Sequence, residues 1–287
     1  MKVQDIIKLL RPEQYYKNLV IYLALYFSGN LLNASMVATT TAGFALLCLL
    51  SSANYIINDF ADREKDRHNK EKEGRPLASG KVTVASALIL AIVLCIVSLA
   101  AAYTLNRQFT FIAAGMFLLG NAYSFILRKE LFLDVIAISF NYVLRAVAGA
   151  ALIHVWVSPW LVVGTFFLAL FLSTGKRKSE KILLEGKAQH HRPLLDLYSN
   201  NMLSFLLHMS ATVLLVSYAL YSFLGSNAML VFTLPIALYM ILRFLYLAEA
   251  GAPEARLVSK LFADRRMMAA GVLYAASSIF ILYFSKL

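Results

Sequence analysis

Charge is scarce in this chain. Only 15% of its 287 residues are Asp, Glu, Lys or Arg, while 60% are hydrophobic and the mean hydropathy is +0.68. Ordinary soluble domains carry about 25% charge, so this composition excludes a soluble globule and describes a polytopic membrane protein. Cysteine is limited to Cys48 and Cys95. Both sit inside apolar runs without partner spacing, which excludes a disulfide framework and makes them small apolar fillers. Acidic residues number only sixteen, and their distribution is as informative as their scarcity.

Apolar runs of about 20 residues, the length needed to cross a bilayer, fall at roughly 18–37, 38–58, 83–105, 109–127, 133–153, 158–175, 202–223, 227–248 and 267–285. About nine transmembrane helices are therefore expected, in an all-α fold. Lys2, Lys8, Arg11 and Lys17 precede the first run. Arg63, Lys65, Arg67, Lys70, Lys72, Arg75 and Lys81 follow the second, Arg128 and Lys129 the fourth, and Lys176, Arg177, Lys178, Lys181, Lys187 and Arg192 the sixth. Arg243, Arg256, Lys260, Arg265 and Arg266 close the eighth, leaving Arg107 and Lys286 on the opposite side and Arg145 inside a span. The positive-inside rule puts the N-terminus and the even-numbered loops in the cytoplasm. Every Asp and Glu lies on that side too, so chemistry is expected there, in a cell membrane. The net charge of +11 is then largely topological, with attraction to anionic lipid, and calls for no nucleic acid.

Residues 1–17 form an interfacial segment. Val3, Ile6, Ile7, Leu9 and Leu10 alternate with Lys2, Asp5 and Lys8 at helical spacing; a cleaved signal peptide is not expected. Pro12 can open a helix. Gln14, Lys17 and Asn18 then cluster just ahead of the apolar run, either as a polar site or as an interfacial anchor.

The densest polar stretch runs from Asn58 to Gly80 and holds six of the sixteen acids. Asn58, Asp62 and Asp66 fall at i, i+4 and i+8, so a helix stacks their oxygens on one face, with Asp59 beside them. Such a ladder of hard oxygen ligands suits Mg²⁺, which is commonly held by one or two carboxylates plus substrate phosphates. No His or Cys falls between Asn58 and Asp66, which argues against zinc. Lys65, Arg67, Arg75 and Lys81 follow, as a polyanion site requires. The alternative is an ordinary solvated charge cluster at the membrane surface.

The run Asn58-Asp59-x-x-Asp62-x-x-x-Asp66, followed by Arg75-Pro76-Leu77-Ala78-Ser79-Gly80, resembles the first aspartate-rich motif of the UbiA superfamily of intramembrane prenyltransferases. The opening Arg11-Pro12-x-Gln14-Tyr15-x-Lys17-Asn18 is similar to the decaprenyl-phosphate phosphoribosyltransferase branch. So are Leu144-Arg145-Ala146-Val147-Ala148-Gly149, the pattern Gly175-Lys176-Arg177-x-x-Glu180, and the late run Glu254-Ala255-Arg256-Leu257 through Asp264-Arg265. The resemblance spans almost the whole chain. It implies a single domain over 1–287, a UbiA-like bundle with a polar cavity facing the cytoplasm, and active-site loops over about 59–82 and 176–201.

Three further stretches place polar residues inside or at the ends of apolar spans. Asn141 and Arg145 stand at i and i+4 in the fifth span, with Arg145 about 16 Å along the helix from Asp134. A charge at that depth costs at least about 2.5–3.5 kcal/mol unless it faces a cavity or a partner. It either contacts a substrate phosphate or the carboxylates, or forms a structural pair with Asn141 and backbone. Asn121 and Tyr123, at the end of the fourth span, are interface residues or part of the site, with Lys129 close behind. After the sixth span, the second aspartate-rich motif of the superfamily's aromatic prenyltransferases is absent, and Glu180 is the acid amid Lys176, Arg177, Lys178 and Lys181. That end suits anion binding, or is a plain positive-inside flank.

The resemblance implies transfer of 5-phosphoribose from phosphoribosyl diphosphate to a polyprenyl phosphate. Mg²⁺ would rest on Asn58, Asp62 and Asp66, with Asp59, Arg145 and Lys176 catalytic. Lys17, Asn18, Arg67, Arg75, Tyr123, Lys129, Asn141, Arg177 and Glu180 would bind substrate. One alternative is a prenyltransferase moving an isoprenoid from its diphosphate to an aromatic or glycerol-phosphate acceptor. Another is a lipid or anion transporter, against which stands the lack of an evident inverted repeat. Nothing in the sequence reports oligomeric state.

Overall fold

A computed structural model describes residues 2–69, 72–183, 193–225, 227–256, 258–261 and 263–284. Lys70, Lys187, Arg192, Leu257 and Lys286, used above, lie outside the described residues. Every regular element among the described residues is helical. Helix α1 (Val3–Leu10) ends where Arg11 takes a left-handed conformation, φ 53°. A 3₁₀ segment, Pro12–Tyr22, then leads into α2 (Leu23–Phe27). There follow α3 (Ala34–Arg67), α4 (Val84–Leu105), α5 (Arg107–Phe125), α6 (Leu133–Leu152), α7 (Pro159–Leu183), α8 (Pro193–Leu197), α9 (Asn200–Leu224), α10 (Leu234–Glu249), α11 (Pro253–Arg256), α12 (Val258–Leu261) and α13 (Arg265–Phe284).

The helix starts are written in short polar side chains. Asn33 accepts from the Met36 amide, Thr83 from Ser86, Asn106 from Phe109 and Ser199 from Met202, each satisfying an orphan donor of the first turn. Asp264 does the same for α13 through the Met267 amide at 2.7 Å, while pairing with Arg243 at 2.6 Å. That pair holds the Asp264 carboxyl below its ordinary range.

Seven helical stretches among the described residues are long and apolar enough to cross a membrane: α3, α4, α6, α7, α9, Ala228–Glu249 and α13. Two of the expected nine runs differ. The run expected at 18–37 is broken into the end of the 3₁₀ segment, α2 and a turn at Gly29 (φ 74°), because Asn18 is drawn inward to bond Ser51 and Cys48. The fourth run forms the 19-residue α5, which opens on Arg107 and Gln108 and is not among the seven. The ladder read at helical spacing lies on α3, which continues to Arg67, and Lys176 to Leu183 belong to α7.

The chain forms two compact units. The first comprises Met1–Arg128 and Leu144–Trp156, and the second Lys129–Val143 and Val157–Leu287, so α6 contributes to each. In the first, Leu9, Ala53, Ile56, Leu77, Val82, Ala87 and Ala91 form a core. Helix α4 buries Ala87, Ala91, Ser98 and Ala102 and leaves Ile89, Ile92 and Ile96 more than half exposed. Small residues inward and large aliphatics outward is the arrangement of a helix packed in lipid. Gly149 has a steric reason to be glycine, since a Cβ there would collide with the carbonyl oxygen of Ile21. In the second unit, Phe171, Leu207, Ala211, Phe244, Leu247, Ala248 and Ala255 form the core.

Candidate active site

In the first unit, the C-terminal end of α3 carries Asn58, Asp59, Asp62 and Asp66. The segment after it folds back, with Leu77, Ala78 and Val82 buried and Arg67 Nε donating to the Ala78 carbonyl at 3.1 Å. This return brings Arg75 over the helix. Its Nη1 lies 2.9 Å from Asp59 Oδ1 and 2.6 Å from Asp66 Oδ2. Asp59 is 2% exposed and also accepts from Arg11, whose guanidinium lies over the Tyr55 ring at 5.7 Å. Burial lowers the Arg11 pKa, against the opposing pull of Asp59. Lys72 stands 4.0 Å from Asp66. Asp62 is instead clasped by Arg128 in a two-pronged pair of 2.6 and 2.7 Å, the strong fork geometry of guanidinium and carboxylate.

Asp59 and Asp66, seven residues apart on one helix face, thus converge on a single positive centre. Those hard oxygens around a cation fit Mg²⁺ in donor chemistry. Among the described residues no three Asp, Glu, His or Cys side chains gather as a metal cage. Asn58 donates its amide to Ser124 at 2.9 Å, so its carbonyl oxygen is the atom it can offer a metal.

Deeper in the same unit, Arg145 Nε donates to Asn18 Oδ1 at 2.8 Å, and Asn18 donates on to Ser51 Oγ and Cys48 Sγ, both at 3.3 Å. Arg145 is 8% exposed and Asn18 1%. The bond from Arg145 to Asn18 reaches the Pro12–Tyr22 segment, across 127 residues of sequence. Lys17 is half-buried on that segment, and Tyr123 half-buried on α5. Arg67 is exposed and also donates to Glu64 at 3.2 Å.

In the second unit, the last turns of α7 gather Lys176, Arg177 and Glu180. Lys176 Nζ lies 3.8 Å from Glu180 Oε1, and Arg177 Nη1 3.5 Å from Glu180 Oε2. Arg177 Nε donates to Asp134 Oδ2 at 3.2 Å, and the Tyr198 hydroxyl donates to Asp134 Oδ1 at 2.6 Å. Burial, then the hydrogen bond to Asp134, pushes the Tyr198 hydroxyl far above the ordinary tyrosine range. Lys129 is exposed and Asn141 half-buried in this unit. Lys178 turns to Ser204 (2.8 Å) and Glu249 (3.3 Å) and ties α7 to α9 and α10.

Four residues with defined roles here were not singled out as site residues by sequence. Arg11 and Arg128 stood among the topological cations, and Asp134 was a carboxylate at the foot of a span. Tyr198 carried no signal.

Helices able to span a bilayer, with a clustered acidic ladder extending from one of them and cations paired to it, define a polytopic helical membrane protein with a polar, anion-competent site. Residues 19–264 match the model of the UbiA prenyltransferase family. The chain belongs to that family. It is 33% identical over 230 residues to a decaprenyl-phosphate phosphoribosyltransferase of Mycolicibacterium smegmatis, covering 79% of this chain and 72% of that one. A Mycobacterium tuberculosis protein of the same name is 30% identical over 225 residues, covering 77% and 74%. Among solved structures, a UbiA homolog from Archaeoglobus fulgidus bound to GPP and Mg²⁺ superposes with a TM-score of 0.74 at 19% identity, covering 97% of this chain and 98% of that one. That last likeness concerns the fold.

Proposed function

We propose that this protein is a membrane glycosyltransferase that moves 5-phosphoribose from phosphoribosyl diphosphate to a polyprenyl phosphate and releases diphosphate. The observation that carries this reading is the end of α7, where Lys176 and Arg177 surround one acid, Glu180. Prenyl-transferring relatives are expected to have a second aspartate-rich motif there. The likeness to the two mycobacterial phosphoribosyltransferases supports the same choice.

The chemistry needs little from a general base. A lipid monophosphate is largely ionised near neutral pH, since its second pKa is about 6. One of its oxygens attacks C1 of the ribose, and the C1–O bond to diphosphate breaks with its electron pair leaving on the diphosphate. The new bond makes a phosphodiester. Asn58, Asp62 and Asp66, with Asp59 beside them, are the residues that would hold Mg²⁺. Bound there, Mg²⁺ would neutralise charge on the leaving diphosphate. Lys17, Arg67 and Arg75 bind the diphosphate, Lys176 and Arg177 bind a substrate phosphate, and Arg145, held by Asn18, offers positive charge to an anion inside the membrane. Tyr123, Lys129, Asn141 and Glu180 complete the proposed binding set.

The same reading places one domain over 1–287 in the cell membrane. It has nine crossings, a cytoplasmic N-terminus and a polar cavity open to the cytoplasm, which the one-sided distribution of Lys and Arg supports. The test is a paired label-transfer assay on purified protein in detergent with Mg²⁺. One tube holds labelled phosphoribosyl diphosphate with polyprenyl phosphate; the other holds labelled prenyl diphosphate with aromatic and glycerol-phosphate acceptors. Label entering the lipid phase in the first tube is the expected result. Transfer in the second tube alone would replace the reading with a prenyltransferase.

A further inference from the structure

Asp134 is fully buried, and both of its oxygens are committed: Oδ1 to the Tyr198 hydroxyl at 2.6 Å, Oδ2 to Arg177 Nε at 3.2 Å. Tyr198 is fully buried as well and fastened at three points besides that bond. Its hydroxyl accepts from the Phe132 amide at 3.0 Å, its carbonyl accepts from Lys181, and its ring meets the Phe132 ring edge-on at 5.7 Å. Phe132 has φ 68°, a left-handed conformation that a bulky side chain rarely adopts, and the tyrosine hydroxyl holds it there. The first turn of α6, the end of α7 and the residue that follows α8 are joined through this one carboxylate.

A buried ion pair of this kind is weak evidence for stability, because apolar residues of similar volume commonly do as well or better in its place. Its geometry is informative instead. The bond to Asp134 runs through Nε, on the inner edge of the guanidinium, so it fixes the plane as well as the position of the group. Lysine has no equivalent of that edge. The high Tyr198 pKa keeps its hydroxyl a donor, so the carboxylate remains an acceptor for Arg177.

We propose that Asp134 and Tyr198 are positioning residues that aim the Arg177 guanidinium at a phosphate of the substrate. This rests on the transfer activity proposed above. Asp134 acts through Arg177 and touches no reacting atom. Its substitution should therefore weaken phosphate binding in the protein that does fold, beyond the loss of stability that breaking a buried pair brings.

The test uses full-length protein in detergent and measures KM for phosphoribosyl diphosphate and for polyprenyl phosphate, kcat, and the melting temperature. Arg177→Lys identifies which KM depends on the guanidinium. Asp134→Asn should raise that same KM about tenfold, and Tyr198→Phe, which removes one hydroxyl, about threefold. The Asp134→Asn, Arg177→Lys double variant should be no worse than the poorer single one, since the two substitutions disable one contact. Unchanged KM values with a lowered melting temperature in Tyr198→Phe and Asp134→Asn would reduce the network to a structural staple and overturn the inference. Should Asp134→Asn fail to accumulate, Tyr198→Phe alone decides. Wild-type protein that moves no ribose label overturns the proposed activity and this inference together, whereas active wild type with indifferent variants overturns only the inference.

Discussion

Replacing Arg75 by Gln should strengthen metal binding while weakening catalysis. In the structure Arg75 Nη1 lies 2.9 Å from Asp59 and 2.6 Å from Asp66, where it competes with any other cation for those oxygens. Two unit charges 4 Å apart at an effective dielectric of 20 interact by about 4 kcal/mol. The Arg75 side chain is 27% exposed against 2% and 5% for its partners, so the pair stands between an exposed one, worth about 0.2–1 kcal/mol, and a buried one, whose breaking costs about 3–5 kcal/mol. A competitor worth about 2 kcal/mol corresponds to about 30-fold in a dissociation constant, at 1.4 kcal/mol per factor of ten. The variant should still fold, because Asp59 keeps Arg11 and Asp66 keeps Lys72. The assay is Mn²⁺ binding followed by electron paramagnetic resonance, on substrate-free protein in detergent. Expected is a Kd about 30-fold tighter in Arg75→Gln, together with a loss of turnover of at least about 100-fold because the proposed diphosphate contact is gone. Unchanged or weaker Mn²⁺ binding would refute the reasoning: either the carboxylates do not take the metal or Arg75 does not oppose it.

Asp62→Asn keeps the shape of a side chain that Arg128 grips with two bonds but removes its charge, and turnover should fall by about 100-fold or more with little change in melting temperature; near-normal turnover would end the metal assignment for Asp62. Arg145→Met removes the guanidinium held by Asn18 and should reduce turnover far more than it reduces accumulation in the membrane; loss of the protein itself, seen by quantitative blotting, would make Arg145 structural. Chelation should abolish label transfer and added Mg²⁺ should restore it, so full activity after exhaustive chelation would remove Mg²⁺ from the proposal.

What could be read from the chain was local. The ladder of Asn58, Asp62 and Asp66 was visible because its residues repeat at helical spacing, and α3 does continue through them to Arg67. Which acids act together was not visible. The spacing groups Asp62 with Asp66, whereas the fold joins Asp59 to Asp66 through Arg75 and gives Asp62 to Arg128, 66 residues away. Periodicity reports which side chains share a helix face, but not which cation a returning segment lays across it. The same limit applies to Arg145. Its depth in an apolar span marked it as needing a partner, and its bond to Asn18 comes from a segment far away in sequence that no local spacing points to. The first apolar run is broken locally for a related reason. Asn18 lies at the edge of the first run, and its burial against Ser51 and Cys48 belongs to a 3₁₀ segment packed against Gly149 rather than to a straight span. Cations were legible as topology, and that reading hid Arg11 and Arg128, since a positive-inside flank and a carboxylate's counterion are the same residue types. They are told apart by what they touch. In a chain where charge is this scarce, each acid of the ladder already has a guanidinium or ammonium beside it, so the unresolved functional question is which of those cations gives way when a metal and a diphosphate arrive, and the Arg75 measurement addresses it directly.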